Sequence, residues 1–142
     1  MIKARFNIDP VAWQRPRFNG KRGFTAPVVK KFENTISLIA KSMMTTPPLQ
    51  GALKVIVNFY LVPPKTVKKY YPFVRPDIDN FLKGVFDSLN GIFWIDDGQI
   101  CELQCGKYYE WIEGKGRIEI EVIPMQDFYA VPNKTRKNKV LP

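Results

Sequence analysis

The chain contains no histidine, and that absence removes whole classes of chemistry. No Ser-His-Asp or Cys-His nucleophile can be assembled, nor a histidine-bearing zinc or nuclease centre. Proton transfer is left to carboxylates, lysine, tyrosine or metal-activated water. Cysteine is scarce too, with 2 residues, Cys101 and Cys105. Four apart on one face of an extended strand they would stand about 13 Å from each other, too far for a disulfide. Without histidine they make a poor zinc site, so they read as buried small hydrophobes in a reducing cytoplasm. No run approaches the roughly 20 apolar residues of a membrane span. The alternating start Met1-Ile2-Lys3-Ala4-Arg5-Phe6 does not resemble a signal peptide.

Acidic residues are outnumbered, 13 Asp+Glu against 22 Lys+Arg, which gives a net charge of +9. Such an excess suits a polyanionic partner, because cationic side chains release counterions condensed on a phosphate backbone. With 142 residues, 45% of them hydrophobic and 13% aromatic, the chain is long and apolar enough for one folded domain with its own core. Periodicity assigns that domain to residues 1–126. It leaves 127–142, with Lys134, Arg136, Lys137 and Lys139, as a basic and flexible tail.

Ile2, Ala4, Phe6 and Ile8 alternate with polar residues, which predicts a half-buried strand. Residues 11–26 read as a basic, irregular segment. Pro27 suits the first turn of a helix that runs to about Thr45, with Val28, Phe32, Ile36, Ile39 and Met43 facing the core. Leu53–Leu61 alternates as a second strand. A second helix is expected over Asp79–Asn90, with Phe81, Leu82, Val85, Phe86 and Leu89 as its apolar stripe. Ile92–Ile95 reads as a short buried strand. The strands Gln99–Trp111 and Arg117–Ile123, joined by Glu113-Gly114-Lys115-Gly116, read as a hairpin. This order implies an α+β fold, a small mixed or antiparallel sheet with two main helices.

Against the basic background, acids gather at one spot: Asp77 and Asp79 at the entrance to the second helix, Asp96 and Asp97 after the buried run. One acid at a helix entrance is commonly just an N-cap. Asp79, Lys83 and Asp87, spaced i, i+4, i+8, share the polar face of that helix and could equally be a solvated charge ladder. If the Phe93-Trp94-Ile95 strand folds back along the helix, Asp96 or Asp97 joins Asp77 and Asp79. Converging carboxylates repel unless a cation intervenes. Mg²⁺ prefers a few carboxylates plus substrate phosphate oxygens, and Lys83 would then face the scissile phosphate.

The run Arg75-Pro76-Asp77-Ile78-Asp79-Asn80-Phe81-Leu82-Lys83, then Phe86-Asp87-Ser88-Leu89, then Phe93-Trp94-Ile95-Asp96-Asp97-Gly98-Gln99-Ile100, resembles the RusA family of Holliday junction resolvases. A weaker likeness lies in Arg15-Pro16-Arg17. The resemblance implies a small homodimer of the bacterial cytoplasm, encoded by phage or prophage. It would make paired symmetric nicks in four-way DNA junctions, in recombination and repair, with Mg²⁺ or Mn²⁺ and no small-molecule cofactor. It further implies Asp77, Asp79 and Asp97 as metal ligands and, with Lys83, as the catalytic set, and a structural role for Asp87.

For DNA contact the sequence offers Arg15, Arg17, Lys21 and Arg22, interleaved with Trp13, Phe18 and Phe24, and Lys68, Lys69 and Arg75 leading into the acidic run. Lys107, Lys115 and Arg117 could extend that surface. Two other readings stay open: a nuclease for a broader range of branched DNA, and a metal-independent DNA-binding recombination accessory whose acids are only caps.

Overall fold

The computed structural model describes residues 1–20 and 22–126. Its elements run β1 (Ile2–Phe6), β2 (Arg17–Asn19), β3 (Arg22–Phe24), α1 (Pro27–Met43), β4 (Leu53–Leu61), α2 (Ile78–Leu89), β5 (Ile100–Tyr109) and β6 (Arg117–Pro124). The main sheet has the order β1-β6-β4-β5; β4 is antiparallel to β6 and parallel to β5. Two helices on a four-stranded mixed sheet make the α+β fold that the patterning implied.

Alternation explains how the layers meet. Leu53, Val55, Val57 and Phe59 of β4 and Ile118, Ile120 and Val122 of β6 are buried on the helix-facing side. Each such side chain contributes roughly 1.5–3 kcal/mol by leaving water. Phe81 of α2 stacks on Phe59 with ring centroids 5.3 Å apart. The two helices are tied together where the Ser37 hydroxyl donates to the Ser88 carbonyl at 2.8 Å.

Several local readings are corrected. The core face of α1 is Val29, Phe32, Ile36 and Ala40, whereas Val28 and Met43 are exposed. The true stripe is therefore offset from the expected one, and the small Ala40 lets the helix lie close to the sheet. Residues 17–24 are not irregular: Arg17 pairs with Phe24 and Asn19 with Arg22, and Gly20, at φ +65°, supplies the left-handed turn residue.

Ile92–Ile95 is a turn rather than a strand. Gly91, at φ +79°, donates its N–H to the Trp94 carbonyl at 2.7 Å, and the chain folds back over the end of α2. Phe93 and Trp94 are buried as expected, both 0% exposed, while Ile95 points outward. A buried indole N–H needs an acceptor, and Asn90 Oδ1 provides one at 2.6 Å.

The expected β5–β6 hairpin does not form, because β4 lies between those strands and pairs with both. The connection from Glu110 to Gly116 passes across the end of β4 instead. Buried Glu110 organises it, accepting N–H bonds from Ile112 and Glu113 and pairing with Arg117. Cys101 is exposed rather than buried, since β5 is an edge strand whose beginning no helix covers. Among the described residues no helix is long and apolar enough to cross a membrane.

Candidate active site

The start of α2 carries the first carboxylates. Asp77 occupies the N-cap position with extended backbone (φ −71°, ψ 147°), yet its side chain makes no cap hydrogen bond. Asp79 stands in the first turn, where the helix dipole favours an anion, and among the described residues accepts only from the neighbouring Asn80 N–H at 3.0 Å. Both are exposed. Asp77 is thus a cap by position and not by bonding, and its carboxylate is left available.

What fixes this corner is a lysine. Lys107 of β5 donates from Nζ to the carbonyls of Val74 at 2.8 Å and Pro76 at 2.9 Å, docking the segment before Asp77 on the sheet. Tyr109 N–H donates to the Tyr70 carbonyl at 3.0 Å and extends the attachment. Lys107 therefore holds the protein's own backbone rather than offering itself to DNA. Arg117 is likewise engaged, with Glu110, with Glu119 at 3.0 Å and with the Tyr60 ring at 3.8 Å. Lys115 is exposed.

Lys83 projects from the same helix. Its Nζ lies 3.4 Å from Asp87 Oδ2 and 5.0 Å from the centroid of the Trp13 ring. Trp13 reaches it because its backbone N–H donates to the Asn80 carbonyl at 2.9 Å. Gly84 permits this close passage: a Cβ there would meet the Val11 carbonyl oxygen at 3.3 Å. Glu33 of α1 also faces this group. Burial raises its carboxyl above the usual range, the charge on Asp87 adds to that, and Lys83 offsets part of it. Spacing within α2 predicted the Lys83–Asp87 pair. Glu33 enters through the packing of α1 on α2, which no local pattern announces.

The second acidic pair has a divided role. Asp96 caps the 3₁₀ turn Asp97–Gln99: its Oδ2 accepts from Gly98 N–H at 2.9 Å, and Gln99 Oε1 accepts from the N–H groups of Asp96 at 3.0 Å and Ile95 at 2.8 Å. The Gln99 amide donates in turn to the carbonyls of Leu49 at 3.0 Å and Gly51 at 2.9 Å. Asp97, half-buried, makes no side-chain hydrogen bond or ion pair among the described residues. The Asp-x-x-Gln box was readable in the sequence as a capping signature, and it separates the two aspartates by task.

These pairs do not converge within one protomer. Between Asp77 and the Asp96-Asp97 turn lies the whole of α2, 12 residues, about 18 Å at 1.5 Å per residue. The sheet gives the same answer, since Asp97 precedes Ile100 while Lys107 anchors Pro76. Ile100 and Lys107 are roughly 23 Å apart along a strand. Among the described residues no group of three or more Asp, Glu or Cys side chains is placed to hold a metal ion. The fold-back expected of Ile92–Ile95 fails because that segment turns at the far end of the helix.

Basic and aromatic side chains are exposed on the loop that leads into Asp77 and on the segments before α1. Lys68, Lys69, Arg75 and Arg15 are exposed, as is Arg22 on the β2–β3 hairpin. Lys69 lies 4.2 Å above the Phe73 ring, and Trp111 Nε1 donates to the Lys69 carbonyl at 2.8 Å. Phe18, Tyr70, Tyr71 and Phe73 are all exposed, so the aromatics of these loops face outward instead of packing on the core. Lys21 and residues 127–142, with the basic tail, lie outside the described residues, as does the side chain of Arg17.

A basic α+β domain with unengaged carboxylates at a helix entrance has the make-up of a nuclease. The family model for endodeoxyribonuclease RusA matches residues 7–123, and the chain belongs to that family. It is also similar to a Bacillus subtilis (strain 168) protein named "Uncharacterized protein YqaN". The two are 32% identical over 124 residues, covering 76% of this chain and 87% of that protein.

Proposed function

We propose that this endodeoxyribonuclease resolves Holliday junctions in recombination and repair, as a Mg²⁺-dependent homodimer that nicks two opposing strands. The observation that carries the reading is that, among the described residues, neither the Asp77 nor the Asp97 side chain has a structural partner. Asp77 stands at a cap without capping, and Asp97 stands beside an aspartate that does all the capping. A DNA-binding accessory whose acids were only caps would engage them.

The donor chemistry fits Mg²⁺, a hard cation that takes carboxylate and phosphate oxygens. Asp77 and Asp79 would hold it at one end of the protomer, and Asp97 would complete the set from a second copy. Bound there, the ion would supply neutralisation of phosphate charge and activation of water. Lys83 places a positive charge on the α2 face that carries Asp79, suited to charge building on the phosphate oxygens. Lys68, Lys69, Arg75, Arg15 and Arg22 would steer the phosphate backbone toward that face. Two-fold symmetry matches a substrate with two equivalent strands to cut.

The test is incubation of wild type and Asp77→Asn with a mobile four-way junction, in Mg²⁺ and in EDTA, beside flap and linear duplex controls. Symmetric paired nicks that require both Mg²⁺ and Asp77 are expected. Equal cutting of all substrates would point to a broader branched-DNA nuclease. Cutting by Asp77→Asn at the wild-type rate would remove the reading.

A further inference from the structure

We infer that the groove between the Lys68–Tyr70 segment and Trp111 is a site for one unpaired nucleotide of a DNA strand, with the base on the exposed rings and its phosphate on the two lysines. The groove has a volume of about 300 Å³ and is lined by Lys68, Lys69, Tyr70 and Trp111. That is the small end of ligand pockets, which run to roughly 300–1,000 Å³, and it gives room for a single base but not for a duplex. Tyr70 is 78% exposed and Trp111 42%. Exposed Tyr71 and Phe73 line the adjoining cleft together with the same two lysines. A lone exposed ring is ordinary, whereas a continuous run of them marks a binding surface.

The rings are held in place without being covered. Trp111 Nε1 donates to the Lys69 carbonyl at 2.8 Å, and the Tyr109 N–H donates to the Tyr70 carbonyl at 3.0 Å. The polar edge of the indole is thus satisfied by backbone, and its face is left to a ligand. A groove already formed loses little order on binding.

Charge decides the occupant. Between Leu61 and Asp77 the chain carries the cations Lys65, Lys68, Lys69 and Arg75 and no acid. The acids nearest to Trp111 in sequence, Glu110 and Glu113, are engaged with Arg117 and Arg5. An apolar protein face would bring no counter-charge for these lysines, whereas a DNA strand brings a phosphate with every base. Stacking on an aromatic ring needs a free base face, which an unpaired nucleotide has and a duplex does not.

The site deepens the nuclease reading, on which its functional meaning rests. Tyr109 and Lys107, which fix Tyr70 and Pro76, stand about 7 Å apart along β5. A strand with one base in the groove therefore passes close to Asp77. Bases at the branch point of a junction are the least costly to unstack, so the groove would set which phosphate reaches the carboxylates.

Binding by the full chain is measured in EDTA, by fluorescence anisotropy, with a short oligothymidine and with a linear duplex of the same length. Tyr70→Ala should weaken oligothymidine binding by about tenfold, the loss of one stacking ring, and leave duplex binding within about twofold. Tyr70→Phe, which keeps the ring, should bind as wild type does. The salt dependence of oligothymidine affinity should keep its slope in Tyr70→Ala and become shallower in Lys68→Gln/Lys69→Gln. A four-way junction with iododeoxyuridine at the branch point should cross-link to Tyr70 or Trp111 under ultraviolet light, and one with it in mid-arm should not. Equal effects of Tyr70→Ala on the two DNAs, no effect on either, or a cross-link from mid-arm alone would overturn the assignment. So would a Tyr70→Ala that changes the sedimentation of the free protein, since the face would then be a protein contact. The two readings fail separately. A groove that meets these tests in a protein that cuts no junction in Mg²⁺ sinks the nuclease reading alone. A protein that nicks junctions while Tyr70→Ala binds oligothymidine normally sinks the groove alone.

Discussion

Lys83 Nζ sits 3.4 Å from Asp87 Oδ2, one helical turn further along α2, and 5.0 Å from the centroid of the Trp13 ring. An exposed pair at this spacing contributes only about 0.3–0.5 kcal/mol to stability, so its consequence lies in where it holds the ammonium. Lys83→Ala is expected to lower the single-turnover cleavage rate by roughly 10²-fold, the usual effect of removing one donor to developing charge. Asp87→Asn should lower the same rate by a smaller factor while junction affinity and melting temperature stay near wild type. Trp13→Phe should preserve the rate better than Trp13→Leu, because a ring face remains under the ammonium. Rapid-quench cleavage beside a gel-shift titration separates these outcomes from loss of binding.

The division of labour between Asp96 and Asp97 gives a second prediction. Asp96→Ala removes a cap and should cost about 1 kcal/mol. Gln99→Ala strips acceptor and donor contacts that join this turn to Leu49 and Gly51, and should cost about 1–3 kcal/mol by leaving backbone groups unpaired. Asp97→Asn should leave the urea midpoint almost unchanged and abolish measurable cleavage. Denaturation curves and junction assays on the three variants check the pattern, and a strongly destabilised Asp97→Asn would contradict it.

The sequence displayed elements whose period is local. β4 was read with its full extent, α2 to within a residue at either end, and the Lys83–Asp87 pair from spacing alone. What it hid depends on partners distant in the chain. That β4 would insert between β5 and β6 is set by which strand the apolar faces of β6 and β4 can share, not by the turn joining β5 to β6. Trp13 reads as an aromatic of a basic loop until the Asn80 carbonyl fixes it on α2. The Asn19-Gly20 pair and the Asp96-x-x-Gln99 box are local signals that the sequence carries for a turn and a cap. The separation of Asp77 from Asp97 is set by the Gly91 turn, which a run as apolar as Ile92–Ile95 disguises as a strand.

Glu33 makes stability depend on pH in a defined direction. Its carboxyl is raised above 4.5 by burial first and by Asp87 second, with Lys83 acting the other way. The folded state therefore holds this proton more tightly than the unfolded chain does. The associated stability is fully present below pH 4.5 and is lost as pH rises through the raised value. Glu33→Gln should melt slightly higher than wild type at pH 7, and the difference should vanish at pH 4. Thermal melts at the two pH values decide it, and an effect that grew on acidification would have the wrong sign.

The last prediction concerns sites shared between copies. If Asp77 and Asp79 act with Asp97 of the other copy, the variants Asp77→Asn and Asp97→Asn are each inactive as homodimers, since both of their sites lack a ligand. In a mixed dimer one site receives both substitutions and the other receives neither. Mixing the two inactive proteins under exchange should therefore restore nicking of one strand. About half of the molecules in a fully exchanged equal mixture are hetero-dimers with one intact site each, by the isologous symmetry of a two-fold pair. Single unpaired nicks should dominate the product, because only one strand of the junction faces an intact site. If all three aspartates acted within one protomer, both copies in the mixture would remain defective and no activity would return. The product gel after subunit exchange thus reads out whether the carboxylates that the fold separates by the length of α2 are reunited by the partner.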